Sequence, residues 1–599
     1  LFRSTIVNDD RKVSNMEDLV NMDVNEGSLT EFEAVEEKIA NTTPEDTLPD
    51  KYKGKSVSEI VKMHQEAEKL IGRQANEVHE VRSLADQLLK QQLDSNKPIA
   101  TPIEESLEED FFADPARAVN RQVEKHPAVL EAHHAGVPMI VVTADRPEEL
   151  REIGSNQTTH QHDIFGPAVR LSVDEPAPVP GATAERRGAE LASDAFYAST
   201  DHYAPGPVHL NVAFREPLSS AIDVRPVELL IQSQRHREPG ISLELHRGPR
   251  TLVIAGADAG PRAEEVAHEG GWPLIAEVTS GSRYGRNLVP AYRELLSNPE
   301  LTKLIERVVV FGHPTLSREI PALIGDSSTG IQTIVVRGAA PEGYNPGLNV
   351  SSFVNDVIVE PGENNTDWLG LWIVSGREAY ERYESSAIDA ALATAPNVTA
   401  SRSESIDEKK AFLAAELAAS RVKISRELLV DAVWRSTWPH DRLVFAASRL
   451  IRVADKFVGG KKITVHANRG LAGIDGTIGT GVGIALASEN ALTRIVVGDL
   501  AALHDAGSML FGTQEERPRV QVIVGNDGGG TIFDALEVGQ SASAENMDRV
   551  FLTPQHVDLA ALANAYGWGY TKVATVSELE RALTGAGEGP ELVEVELER

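Results

Sequence analysis

TRIVVGDL (493–500) and VQVIVGNDGGGTIF (520–533) decide the fold. Both runs are rich in Val and Ile without polar alternation, as expected of parallel strands buried on both faces. Each ends in a carboxylate: Asp499 after Gly498 in the first, and Asp527 after Asn526 in the second. Parallel strands ending together place such groups at the carboxyl edge of a sheet, where α/β proteins bind ligands. Two carboxylates with a main-chain carbonyl suit Mg²⁺, which takes oxygen ligands and fills its octahedron with waters and ligand phosphates. Gly528, Gly529 and Gly530 would let main chain approach a diphosphate, and Thr531 could open the next helix with its N–H groups toward the anion. Alone, the pattern also fits strand ends followed by turn glycines and an Asx turn.

The same grammar extends upstream to about residue 128. VPMIVVTA (137–144), PVHLNVA (207–213), TLVIAGA (251–257), RVVVFG (307–312), QTIVVRG (332–338) and DRLVFAA (441–447) alternate with helix-sized segments. The expected class is α/β, built from parallel-sheet domains. RPVELLIQSQRHREPG (225–240) reads as a linker. With a second boundary near 370, it divides this part into 126–225, 226–370 and 371–599.

Residues 1–125 differ in kind. They hold 27 acidic and 16 basic residues, a net charge of −11 out of −32 for the 599-residue chain. Residues 1–54 lack any sustained period and read as disordered. Ser56 and Glu59 have capping-box spacing, a helix pattern follows to about Leu93, and the stripe from Val57 to Leu88 is coiled-coil-like, with an amphipathic helix on a partner surface as the blander reading. An acidic, Pro-containing linker follows, and Asp114-Pro115 restarts a short helix. The overall acidity argues against nucleic acid or an anionic membrane as the main partner. Without cysteine, disulfides, thiolate metal sites and a cysteine nucleophile are excluded, which fits a cytoplasmic location. No apolar run has the length of a membrane span.

Two further segments carry chemistry. HANRGLAGIDGTIGTGVGIAL (466–486) is dense in glycine around Asn468, Arg469 and Asp475, as a loop pressed against a bound group would be. VVTADRPEELREIGSNQT (141–158) follows a strand with Arg146, Asn156 and Gln157, and arginine in such a loop can grip a carboxylate through two parallel hydrogen bonds. AGADAG (255–260) lacks the spacing of a dinucleotide loop, and the histidines show no zinc-ligand spacing.

ADRPEEL with GSNQT, NRGLAGIDGT, GDLAALHD and NDGGGTIF, in this order, resemble the thiamine-diphosphate-dependent SEPHCHC synthases of menaquinone biosynthesis, in an actinobacterial-like form. GPVHLNVAFREPL (206–218), FGHPTLSRE (311–319) and FLTPQHVDLAALANAYG (551–567) are similar to the same family, so the resemblance spans about residues 126–599. It implies a thiamine-diphosphate-binding fold with a pyrimidine-binding domain, here truncated, at 126–225. A central domain at 226–370 and a diphosphate-binding domain at 371–599 follow, with the active site between subunits of a homo-oligomer. The implied reaction is decarboxylation of 2-oxoglutarate on thiamine diphosphate and conjugate addition of the resulting carbanion to isochorismate.

By motif position the resemblance assigns Mg²⁺ (or Mn²⁺) to Asp499, Asp527 and the Gly529 carbonyl. It makes Ile474 the apolar wedge that bends the cofactor, and puts Gly498, Asp475, Asn526, Gly528, Gly530 and Thr531 around it. The anionic substrates fall to Arg146, Asn156, Gln157, Arg318, Ser448, Arg452 and Arg469; for each arginine a surface ion pair is the alternative. There are three departures from the family pattern. Arg449 stands where a small polar residue is usual, and Gly479 replaces a Ser. The family's N-terminal segment, with the Glu that protonates the cofactor's pyrimidine, has no counterpart, so impaired turnover is expected. Residues 1–125 loosely resemble a tailed-phage structural or assembly protein instead. A chimera is thus implied, and the competing reading is a scaffold protein fused to an inactive enzyme fragment.

Overall fold

The computed structural model describes residues 127–599 apart from 179–181, 217, 219–239, 340–342, 393–397 and 489–490. The helix, linker and phage readings made on 1–125, and the boundary near 225, lie outside the described residues.

All eight Val/Ile runs are strands, and every strand pair among the described residues is parallel. The first sheet joins β1 (Met139–Asp145), β2 (Ser172–Glu175) and β3 (Pro207–Ala213) in the order β1-β3-β2. Helix Ala182–Ser199 covers Val208 and Leu210 with Leu191 and Ala195. Helix Pro127–Ala135 packs Val129 and Leu130 beside Ala168, Met139 and Val141, so the PAVLEAHHA segment belongs with the α/β part. On β1, Val142 is 63% exposed.

The second group comprises β4 (Ser242–Leu245), β5 (Thr251–Ala255), β6 (Leu274–Ala276), β7 (Arg307–Phe311), β8 (Gln332–Val336), β9 (Ser352–Val354) and β10 (Asp356–Val359). Five of these form a sheet in the order β6-β5-β7-β8-β9, while β10 pairs with β4. Helix Thr366–Leu392 runs through residue 370, where the sequence suggested a boundary. Its Trp368 and Trp372 lie in the core of the middle sheet, whereas Tyr383 packs on that of the last one, so the helix belongs to both.

The last sheet has six strands: β11 (Arg442–Phe445), β12 (Thr464–Ala467), β13 (Thr493–Gly498), β14 (Val520–Asn526), β15 (Gly569–Val573) and β16 (Glu591–Glu596). Their order is β12-β11-β13-β14-β16-β15. Strand residues divide by period two between its faces: Ile495, Val497, Val522 and Val524 to one core, Val496 and Ile523 to the other. Helix Arg449–Phe457 buries Leu450 and Ile451 on one face, and helix Thr477–Leu486 buries Ile478 and Ala485 on the other. The chain therefore leaves β11 in one direction for β12 and returns past it to β13. That reversal opens a crevice at the carboxyl ends of β11 and β13.

Candidate active site

At this edge of the sheet stand the two strand-end carboxylates that the sequence singled out. Asp499 opens helix Asp499–His504 directly after β13 and is 6% exposed. Its carboxyl is pushed up to about 6, chiefly by burial and then by the negative Asp527, against backbone N–H bonds from Leu500 and Gly529. Asp527 follows β14 and receives a hydrogen bond from the Thr531 hydroxyl at 2.6 Å. Gly529 has φ +131°, and a Cβ there would sit 2.2 Å from the Leu552 carbonyl oxygen. Gly530 N–H donates to that same oxygen at 2.7 Å. Glycine is thus required for the 528–530 turn to lie against 551–554.

Space and donors both suit a diphosphate held through a divalent ion. A Cβ at Gly498 or Gly528 would meet nothing within 4 Å, so open room flanks the two carboxylates. The described residues contain no group of three or more His, Cys, Asp or Glu side chains able to hold a metal. Two carboxylates and the Gly529 carbonyl would supply half an octahedron were they to converge on one ion, with a diphosphate and water to complete it.

The arginines gather beside it, where the second and third sheets meet. Arg469, 8% exposed, donates from Nε to the Thr315 hydroxyl at 2.8 Å and from Nη2 to the Thr315 carbonyl at 3.0 Å. Its Nη1 is buried and without a partner among the described residues. Burial, followed by the charge of Arg452, pulls its pKa down. Arg452 donates to the Ser448 carbonyl at 2.9 Å; burial depresses its pKa, and Arg293 and Arg318 add to the shift. Such a cluster of cations favours a bound anion.

Other assigned residues stand differently. Arg318 is 82% exposed at its side chain and lies 3.7 Å from Glu537. Ile474 packs, partly buried, against the core beneath β13, while Asp475 is exposed. Asn526 binds Glu594 at 3.0 Å and receives the Gly528 N–H, so its amide holds the turn. Arg146, Asn156 and Gln157 lie after β1; the latter two are exposed, and no hydrogen bond or ion pair among the described residues links them to Arg469 or Arg452. Two of the three departures lie among the described residues. Arg449 donates to the Thr531 carbonyl at 3.1 Å, and a Cβ at Gly479 would lie 3.0 Å from the Ser508 hydroxyl.

Several residues that position the site carry no motif. Glu131 accepts the Gly470 and Leu471 N–H groups at 2.6 Å each, bracing the loop that bears Arg469. Glu277, fully buried, accepts the N–H groups of Thr315 and Leu316. Arg426 grips Asp527. Thr315 alone was within reach of the sequence, inside FGHPTLSRE.

A crevice of this kind, with strand-end carboxylates and a glycine turn, is the arrangement expected of a thiamine-diphosphate enzyme. The family described as "Thiamine pyrophosphate enzyme, C-terminal TPP binding domain" matches residues 454–595. Among curated proteins, the chain is 52% identical over 501 residues to the 2-succinyl-5-enolpyruvyl-6-hydroxy-3-cyclohexene-1-carboxylate synthase of Leifsonia xyli subsp. xyli, covering 79% of this chain and 83% of that one. It is 49% identical over 498 residues to the protein of that name from Clavibacter michiganensis subsp. michiganensis, covering 79% and 82%. Among solved structures, benzoylformate decarboxylase from Polynucleobacter necessarius gives a TM-score of 0.47 at 13% identity over 78% of this chain and 84% of that one, too weak a likeness to carry an argument. The chain belongs to the 2-succinyl-5-enolpyruvyl-6-hydroxy-3-cyclohexene-1-carboxylate synthase family and is a thiamine-diphosphate-dependent transferase.

Proposed function

We propose that this chain joins the decarboxylated remainder of 2-oxoglutarate to isochorismate, giving the 2-succinyl-5-enolpyruvyl-6-hydroxy-3-cyclohexene-1-carboxylate for which its relatives are named, with a divalent ion, Mg²⁺ or Mn²⁺, between protein and cofactor. The observation that carries the substrate reading is the buried Arg469, braced by Thr315 and with an Nη1 that has no partner among the described residues. A buried guanidinium with an unsatisfied N–H costs free energy that a substrate carboxylate would return. Arg452, held by Ser448, adds a second cation, and Arg318 can swing from Glu537 at the rim.

When bound, thiamine diphosphate supplies the electron sink for loss of CO₂ from a 2-oxo acid. The chain's own groups orient and shield. Asp499, Asp527 and the Gly529 carbonyl would hold the ion, and Gly498, Gly528, Gly530 and Thr531 would line the diphosphate. Ile474 would press on the cofactor from the core side. Asp475 and Asn526 flank that pocket, Asn526 acting through the turn it holds.

Arg146, Asn156 and Gln157 form the remaining substrate wall in this reading, and a second copy of the chain would bring them to the arginine cluster. A homo-oligomer with 126–225 of one copy facing 371–599 of another follows, with 226–370 between them. No helix among the described residues is long and apolar enough to cross a membrane; a cytoplasmic location goes with these substrates.

The test is calorimetric titration of thiamine diphosphate with Mg²⁺ and with EDTA. Affinity should depend on the ion, and Asp499→Ala should remove most of it, because diphosphate and carboxylate would then face each other without a cation. Equal affinity in EDTA would sink the metal assignment. Consumption of isochorismate only when 2-oxoglutarate is present tests the substrates separately.

A further inference from the structure

Asp527 does not face the crevice freely. Arg426, the first residue of helix Arg426–Ser436, sends Nε (3.0 Å) and Nη2 (2.7 Å) to the same oxygen, Oδ2, that the Thr531 hydroxyl also reaches. The helix cap fixes this approach, since the Ser425 hydroxyl accepts the Leu428 N–H. Both side chains of the pair are largely buried, at 13% and 10% exposure. Only Oδ1 remains for anything else. A second guanidinium, that of Arg449, reaches the same turn, and burial and the neighbouring Arg426 lower its pKa.

We propose that Arg426 makes metal capture conditional on the diphosphate, so that the ion enters with the cofactor rather than ahead of it. The inference rests on the reading that Asp499 and Asp527 hold a divalent ion. A bare cation entering this site finds two carboxylates, one of them half-committed, and a fixed positive charge behind it. The described residues offer no group of three or more His, Cys, Asp or Glu side chains for a metal, so the attraction of two carboxylates is cut by that positive charge and nothing else in the group makes up the loss. A diphosphate changes the balance, because its oxygens complete the coordination and its negative charge favours ion and guanidinium together. Asparagine at position 527 would need no such counter-charge, so the aspartate and its arginine act as one device.

The sign of the expected changes separates this role from a structural one. Mn²⁺ binding without cofactor, read by electron paramagnetic resonance, should tighten about tenfold or more in Arg426→Leu, since one nearby positive charge is gone. Thiamine diphosphate binding at saturating Mg²⁺, read by calorimetry, should weaken in the same variant. Asp527→Asn should weaken Mn²⁺ alone, and the double variant should return close to the wild type. Arg426→Gln retains a hydrogen-bond donor without the charge; it should behave like Arg426→Leu, and it serves if the leucine variant does not fold. Unchanged or weaker binding of Mn²⁺ alone in both variants, with Mg²⁺-dependent cofactor binding intact in the wild type, overturns the role of Arg426. If the wild type shows no Mg²⁺-dependent cofactor binding, the metal assignment itself falls and this inference with it.

Discussion

Arg469 depends on a threonine for its aim. Thr315 offers it a hydroxyl and a carbonyl, and both bonds fix the guanidinium with its Nη1 buried and unpartnered among the described residues. Thr315→Val keeps the shape and the carbonyl but deprives the charged Nε of its acceptor. A hydrogen bond to a charged group contributes about 1.5–3 kcal/mol, so steady-state kinetics should show KM for one anionic substrate rising roughly tenfold or more. The turnover number should change little, because the lost interaction serves ground state and transition state alike. Arg469, Asp499 and Asp527 were legible in the sequence because short motifs carry them. Their supports were not: Glu131 lies 339 residues from Gly470, and Arg426 lies 101 from Asp527. No local pattern reports a partner brought in by tertiary folding.

Elements were readable where burial is symmetric. Seven of the eight Val/Ile runs announced strands because both of their faces meet apolar layers; in β1 one face, with Ile140 and Val142, is exposed. Strand β16 was missed because ELVEVE carries charge into the sheet: Glu594, nearly buried, is accommodated by Asn526 and by the Tyr570 hydroxyl at 2.6 Å. Strands β2 and β15 are edge strands with mixed faces, and β6 spans only three residues. Helix Thr477–Leu486 shows the opposite kind of constraint. A Cβ at Gly481 would lie 2.2 Å from Cδ1 of the fully buried Ile495 on β13, so this glycine lets helix and sheet close together. Gly481→Ala should therefore destabilise the fold despite alanine's helix propensity. Overpacking costs about 1–3 kcal/mol against a propensity gain of up to about 1 kcal/mol. Denaturant titration should show a lower midpoint with an unchanged slope. A higher midpoint would mean that Ile495 can move aside.

At the scale of the molecule, the second and third sheets are joined through buried charge. Asp455, in the helix after β11, accepts the Val278 N–H, the Tyr292 hydroxyl at 2.6 Å and Arg293 at 2.7 Å. Arg283 reaches back from the middle sheet to the Asp455 and Val458 carbonyls. Beside them Glu277 holds the Thr315 turn, and its carboxyl is pushed from its ordinary 4.5 up to about 8, first by burial and then by Asp455. The folded chain thus keeps a proton that the unfolded chain releases between those values. This stabilising contribution is complete below about pH 4.5 and is lost as pH rises toward 8, at no more than about 1.4 kcal/mol per pH unit. Glu277→Gln, which mimics the protonated acid, should remove the slope. Urea unfolding at several pH values should show the variant gaining on the wild type from about pH 5 to pH 8. Asp455→Asn should flatten the wild-type slope in part, because one of the two causes of the raised value is gone. It should also lower stability at every pH, since Arg293 would lose its charged partner in a buried site. If the gap between Glu277→Gln and the wild type stays constant across that range, Glu277 is ionised in the fold. The Thr315 turn, and Arg469 with it, would then be held by a carboxylate anion rather than by a neutral acid.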